Sequence, residues 1–267
     1  MSAKLAGVAS ETANAGRVTQ RLAGRVCVIA GAASVIGEAV AERFAREGGI
    51  VVGIDRVEHD VGVHSVRADL TDEGAIDALI GEVVNRFGQI DVLYNNVGLM
   101  DPADRAALGT DLSTWRHVLD ANVTPAFLLC KHVIPHMLAS ERPRGSVINA
   151  ASFLADTGAA TAPMAFSAAK AAVVQLTRDL GVHLARSGVR VNAVLFGPIE
   201  TPAQRAVLQA NPDTLPARLV HWPMGRFGTL DEAAGAIAFL ASDDAGFITG
   251  AALPLDGGIT RAFTVPD

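Results

Sequence analysis

The chain has 267 residues, half of them apolar, a formal net charge of −6, and no run of Lys or Arg. That length suits one α/β domain with a sizeable core, and scattered charge of modest size speaks against nucleic-acid or anionic-membrane surfaces and for a small-molecule partner. Cys27 and Cys130 stand apart with no metal-ligand spacing, and no stretch reaches the roughly 18 apolar residues of a membrane span or forms a basic-then-apolar leader, so a cytoplasmic protein without disulfide or metal is expected.

Residues 1–22 are rich in small and polar types without sustained periodicity and read as a flexible N-terminal arm, leaving 23–267 as one domain. From Arg25 short β-rich runs alternate with helical patterns: "RVCVIA", "GEAVAERFAREG", "IVVGID", "SVRADL", "EGAIDALIGEVVNRFG" and "IDVLYNN". A long helical stretch from Asp111 to Ser140 follows, then a strand at "GSVINAAS", a helix through "MAFSAAKAAVVQLTRDLGVHL" and a strand at "VRVNAVLF". A Pro-rich stretch, 197–224, interrupts the rhythm as an expected substrate-lid loop, before a helix at "LDEAAGAIAFLAS" and a last strand near "AALPL". This alternation predicts a doubly wound Rossmann-type sheet of seven mainly parallel strands with helices on both faces.

The first strand-to-helix turn reads "AGAASVIG", Ala30 to Gly37. Such a turn presents backbone N–H groups at a helix N-terminus, where they and the helix dipole suit a pyrophosphate; Gly31 permits the tight turn and Gly37 close packing of helix on strand. Asp55 closes the second strand 18 positions after Gly37, where a carboxylate accepts from ribose hydroxyls and repels a 2′-phosphate. NAD is therefore favoured over NADP, a preference that Arg56 beside it softens.

These motifs, with others in order, resemble the short-chain dehydrogenase/reductase family from about Leu22 to the C-terminus. "AGAASVIG" is similar to the family's TGxxxGxG turn, which brings Ser34, Val35 and Ile36 to the cofactor; "ADL" resembles its adenine-contacting pair, Asp69 and Leu70; and "NNVG" resembles its NNAG, with Asn96 and Gly98. "DANVT" holds Asn122 at the structural and catalytic Asn, "NAAS" ends on Ser152 where the family keeps Ser, and "FSAAK" ends on Lys170 where it reads YxxxK. "FGPIET" resembles PGxIxT, bringing Gly197, Ile199 and Thr201 to the nicotinamide end, and "ITGAALPLDGG" resembles the C-terminal signature. The resemblance implies an NAD(H)-dependent oxidoreductase interconverting a small secondary alcohol and ketone, assembled as a homotetramer. In it Lys170 holds the nicotinamide ribose, Ser152 the substrate oxygen and Asn122 a water-linked proton path.

Three departures bear on that reading. Hydride chemistry at a carbonyl carbon needs a proton acid/base at the oxygen, the office of the YxxxK tyrosine, and Phe166 has no proton to exchange. Positions 166 and 170 share a helix face, so Lys170 stands beside a ring where it would lower a phenol's pKa. Tyr94, the only tyrosine, lies on another strand with no reason to face Lys170, and Ser167 points about 100° round the helix. Val35 replaces the middle glycine, where a β-branched side chain is expected to narrow the pyrophosphate approach and resist positive φ. Ser152 also stands 14 positions before Phe166, one more than the family's usual spacing. Two alternatives follow: a catalytically silent homologue that binds a ligand or partner, and a non-redox dehydratase or isomerase using Lys170 and Ser152. His132 and His136 have the i, i+4 spacing of a metal pair, but without a third ligand and with Pro135 between them they read as an ordinary helix face. Trp115 and Trp222 read as packing residues, and the apolar side chains of 197–224 suggest a fairly apolar substrate.

Overall fold

A computed structural model describes residues 20–139, 144–158, 163–210 and 214–262. In chain order the elements are β1 (Val26–Ala30), α1 (Val35–Arg46), β2 (Ile50–Asp55), β3 (His64–Arg67), α2 (Glu73–Phe87), β4 (Val92–Asn95) and α3 (Leu112–Leu138). They continue as β5 (Ser146–Ser152), α4 (Met164–Leu184), β6 (Arg190–Phe196), α5 (Pro202–Ala210), α6 (Thr214–Leu219), α7 (Leu230–Ala241) and β7 (Ala252–Leu255).

The strands lie in the order β3-β2-β1-β4-β5-β6-β7, and every pairing is parallel, so the sheet expected to be mainly parallel is wholly so. Central strands such as β1 and β5 are buried at every position, because helices cover both faces. One face packs Ile76, Ile80, Leu129 and Val133 from α2 and α3 against Val26, Val28 and Leu93. The other packs Val40 and Phe44 of α1 and Ile237 and Leu240 of α7 against Cys27, Ile29, Tyr94 and Ile148. Strand order reverses between β1 and β4, and a crevice opens beyond their C-terminal ends, where such sheets bind ligands.

Three expectations need correction. Arg21 and Leu22 belong to the fold: Leu22 is fully buried, and Arg21 forks onto Glu47 at 2.6 and 2.7 Å, while residues 1–19 of the proposed arm lie outside the described residues. Pro135 leaves α3 unbroken; the helix runs through both Pro125 and Pro135. The 197–224 stretch is largely helical rather than a loop, holding α5 and α6. Pro202 opens α5 at its first position, where a missing N–H costs nothing, and the Thr201 hydroxyl accepts from Gln204 N–H at 3.2 Å as its cap.

Candidate active site

At the end of β1 the chain turns through Gly31 at φ +77°, and an added Cβ there would stand 2.6 Å from the Asn96 carbonyl oxygen. Gly37 is as constrained, since its Cβ would fall 2.3 Å from the Gly31 carbonyl. Ser34 caps α1, its Oγ accepting from Gly37 N–H at 3.1 Å. Val35 is the first residue of the helix, so its backbone is helical and no positive φ is required; the expected backbone conflict does not arise. Its half-buried side chain is also not among those lining the crevice, and Ile36 packs into the α1 face of the core. The N–H groups of Val35 and Ile36 find no acceptor among the described residues, leaving two donors at a helix N-terminus.

Gly31, Ser34, Asp55, Arg56, Asp69, Leu70, Asn96 and Gly98 line one cleft of about 330 Å³. At its β2 end the Asp55 carboxylate accepts from Ala33 N–H at 3.0 Å and Val57 N–H at 3.2 Å. Asp69 is held below the usual carboxyl range by the N–H and hydroxyl of Thr71. Two carboxylates, Asp55 and Asp69, line this cleft, and the α1 N-terminus with its two open N–H groups follows directly on Ser34 at its wall. Gly197, Ile199 and Thr201 lie apart from it, beyond β6: Gly197 N–H donates to Leu255 O, and a Cβ there would meet the Asp256 Cα at 2.5 Å. Ile199 bridges to Gly228 and lines a separate groove with Met224 and Leu255.

The second half of the site comes from β5, α3 and α4. Lys170 is 4% exposed, and its ammonium donates to Val97 O at 2.9 Å and Ala150 O at 3.0 Å. Burial lowers its pKa to about 8. The same ammonium stands 5.7 Å from the centroid of the Phe166 ring, a cation–π contact in place of a cation beside a phenol. Phe166 is buried with Val118, Ala165, Trp115 and Leu154. Ser152 ends β5, its Oγ accepting from Leu154 N–H at 3.2 Å, and its own O–H has no acceptor among the described residues. The Ser152–Phe166 interval, with its extra position, includes 159–162, which lie outside the described residues. Asn122 spends its amide on the backbone: Oδ1 accepts from Leu99 N–H, and Nδ2 donates to Leu99 O and Val118 O. It clamps the turn beside Gly98, where an added Cβ would lie 3.2 Å from Lys170 Nζ.

Among the described residues neither other candidate hydroxyl replaces the missing one. Tyr94 is fully buried on the α1 and α7 face of the sheet, across from α4, and Ser167 donates its hydroxyl to Pro163 O. Asp104 is a site residue that sequence reasoning missed. Its buried carboxylate accepts from Ala165 N–H at 3.0 Å and Phe166 N–H at 2.8 Å, capping the helix that carries Phe166 and Lys170. Both cysteines are buried and free, with burial pushing the Cys130 thiol up to about 12. His132 turns both ring nitrogens to Glu73 and Asp77, and no metal-holding group of three or more His, Cys, Asp or Glu occurs among the described residues.

Residues 31–260 match the family model described as Enoyl-(Acyl carrier protein) reductase. The chain is 40% identical over 253 residues to cis-4-hydroxycyclohexanecarboxylate dehydrogenase of Sinomonas cyclohexanicum, covering 90% of this chain and 98% of that one. It is 37% identical to 2-(R)-hydroxypropyl-CoM dehydrogenase of Xanthobacter autotrophicus, covering 88% and 98%. Among solved structures, a short-chain dehydrogenase/reductase from Burkholderia xenovorans superposes with a TM-score of 0.83 at 34% identity, covering 91% of this chain and 99% of that one. With the parallel seven-stranded sheet, the glycine turn and the Ser152 and Lys170 positions already described, these matches establish that the chain belongs to the short-chain dehydrogenase/reductase family of oxidoreductases.

Proposed function

We propose that the protein binds NAD(H), with NADP second, and interconverts a small secondary alcohol and its ketone at a rate limited by Phe166. The observation that carries this reading is the Asp55 carboxylate, which lines the same cleft as the Gly31 turn and accepts from Ala33 N–H of that turn. It can accept from the adenosine ribose hydroxyls, and it opposes a 2′-phosphate that Arg56 and the neighbouring Arg67 would have to balance. Val35 and Ile36 N–H then receive the pyrophosphate. Two of the three ammonium protons of Lys170 are committed to Val97 O and Ala150 O, leaving one for the nicotinamide ribose. The free O–H of Ser152 binds the substrate oxygen. Asn122 offers a proton path only the second lone pair of Oδ1. When bound, the nicotinamide supplies the hydride chemistry, and the protein must handle the proton. The two relatives named above act, by their names, on hydroxylated substrates, which supports a secondary carbinol carbon. The family resemblance supports a homotetramer, and two buried free thiols fit the reducing cytoplasm.

The Phe166 ring favours a second reading, a family member that binds cofactor or ligand without turnover. One experiment decides between them. NADH titrated calorimetrically into the protein binds at micromolar concentration, and Phe166→Tyr raises NAD-linked oxidation across a panel of secondary alcohols by about 10² to 10⁴. Cofactor binding with no gain in Phe166→Tyr overturns the redox reading in favour of the second; no binding up to millimolar NADH or NADPH overturns the cofactor assignment.

A further inference from the structure

The buried phenol of Tyr94 does more than fill the core. It lies fully buried under the glycine turn and donates to Asn96 Oδ1 at 2.9 Å. The other end of that amide donates from Nδ2 to Ser34 Oγ at 2.7 Å and to Gly31 O at 3.2 Å. Ser34 Oγ in turn donates to Gly31 O at 2.9 Å and accepts from Gly37 N–H at 3.1 Å. The directions are forced by chemistry. Flipping the Asn96 amide would set its oxygen against the Gly31 carbonyl, two acceptors with no proton between them, so Nδ2 must face the turn and Oδ1 must face the phenol. Burial holds the phenol well above its ordinary pKa, so it remains a donor throughout the neutral range.

We propose that Tyr94 is a positioning residue for the dinucleotide cradle, acting through Asn96 and Ser34 to hold the Gly31–Gly37 turn in the shape that aims the Val35 and Ile36 N–H groups at a pyrophosphate. The inference rests on the nicotinamide dinucleotide reading above. The relay adds to the hydrogen bonds that β2 gives the same turn, from Gly31 N–H and Ala32 N–H to Ile54 O and from Ala33 N–H to Asp55.

The test is calorimetric titration of NADH into the full chain and into Tyr94→Phe, Ser34→Ala and the double variant. Tyr94→Phe keeps the ring and removes only the O–H, and it is expected to weaken NADH binding about 5-fold, the order of one hydrogen bond. Because both residues act along one relay, the double variant should bind no more weakly than the weaker single variant. Ile148→Val, a buried change in the same core cluster, should lower the urea midpoint and leave NADH affinity unchanged, which separates positioning from general loosening. An unchanged affinity in Tyr94→Phe, or losses that multiply in the double variant, overturns the relay while leaving the cofactor reading intact. A folded wild-type chain that binds neither NADH nor NADPH at millimolar concentration overturns both.

Discussion

Lys170 carries its charge where the surroundings do little to favour it. Two carbonyl oxygens and the face of the Phe166 ring offset only part of the solvation lost on burial, and its pKa falls to about 8. The unfolded chain would keep an ordinary lysine, so between about pH 8 and 10.5 the unfolded state binds a proton that the native state has released. Native stability therefore rises with pH across that window. Relative to Lys170→Met, the wild type is expected to gain about 1 kcal/mol between pH 7 and pH 9. Urea unfolding of both proteins at the two pH values measures this, and a flat or falling difference contradicts it. A phenol at 166 would reverse the balance, because a phenolate would stabilise the ammonium and the ammonium the phenolate.

Helix α4 carries Phe166 and Lys170, the latter's ammonium beside Gly98 of the cleft wall, and its N-terminus has no cap of its own, since Pro163 offers no side-chain acceptor. Asp104 provides one from a loop 61 and 62 positions upstream. Asp104→Ala leaves two buried N–H groups unpaired and should cost about 2 kcal/mol in urea unfolding, with Asp104→Asn recovering part of that loss; equal stability of all three proteins would deny the cap its role. This contact also marks where sequence reading stops. The strands and longer helices were legible because their hydrophobic periods are local, and the Gly31 turn, Asp55 and Lys170 because motifs fix their spacing. Asp104 was illegible because its partners are distant in sequence and are backbone groups. Tyr94 had no reason in the sequence to face Lys170, but its use under the turn was not legible. In 197–224 the prolines suggested a loop, although Thr201 followed by Pro202 was itself a helix-start signal.

The two ends of the sheet are finished differently. At the N-terminal ends of the strands, Arg25, Ser146 and Arg190 donate to the last carbonyls of α7 and to the residue that follows it: Ala241 O at 2.8 Å, Leu240 O at 2.9 and 2.8 Å, and Ser242 O at 3.0 Å. At the opposite end the Val35 and Ile36 N–H groups and the Ser152 hydroxyl remain open. The proposed binding end and this cluster of hydrogen bonds at the end of α7 thus lie a strand's length apart. Arg190→Met should lower stability by about 2 kcal/mol through its lost charged hydrogen bonds, with NADH affinity unchanged. Urea unfolding beside calorimetry checks this, and a parallel loss of affinity would show that the two ends are coupled.

The Phe166 ring has a genetic consequence. Phenylalanine and tyrosine codons differ only at the middle base, so one transversion in the gene would restore a hydroxyl to a ring already seated, over an ammonium already held by two carbonyls.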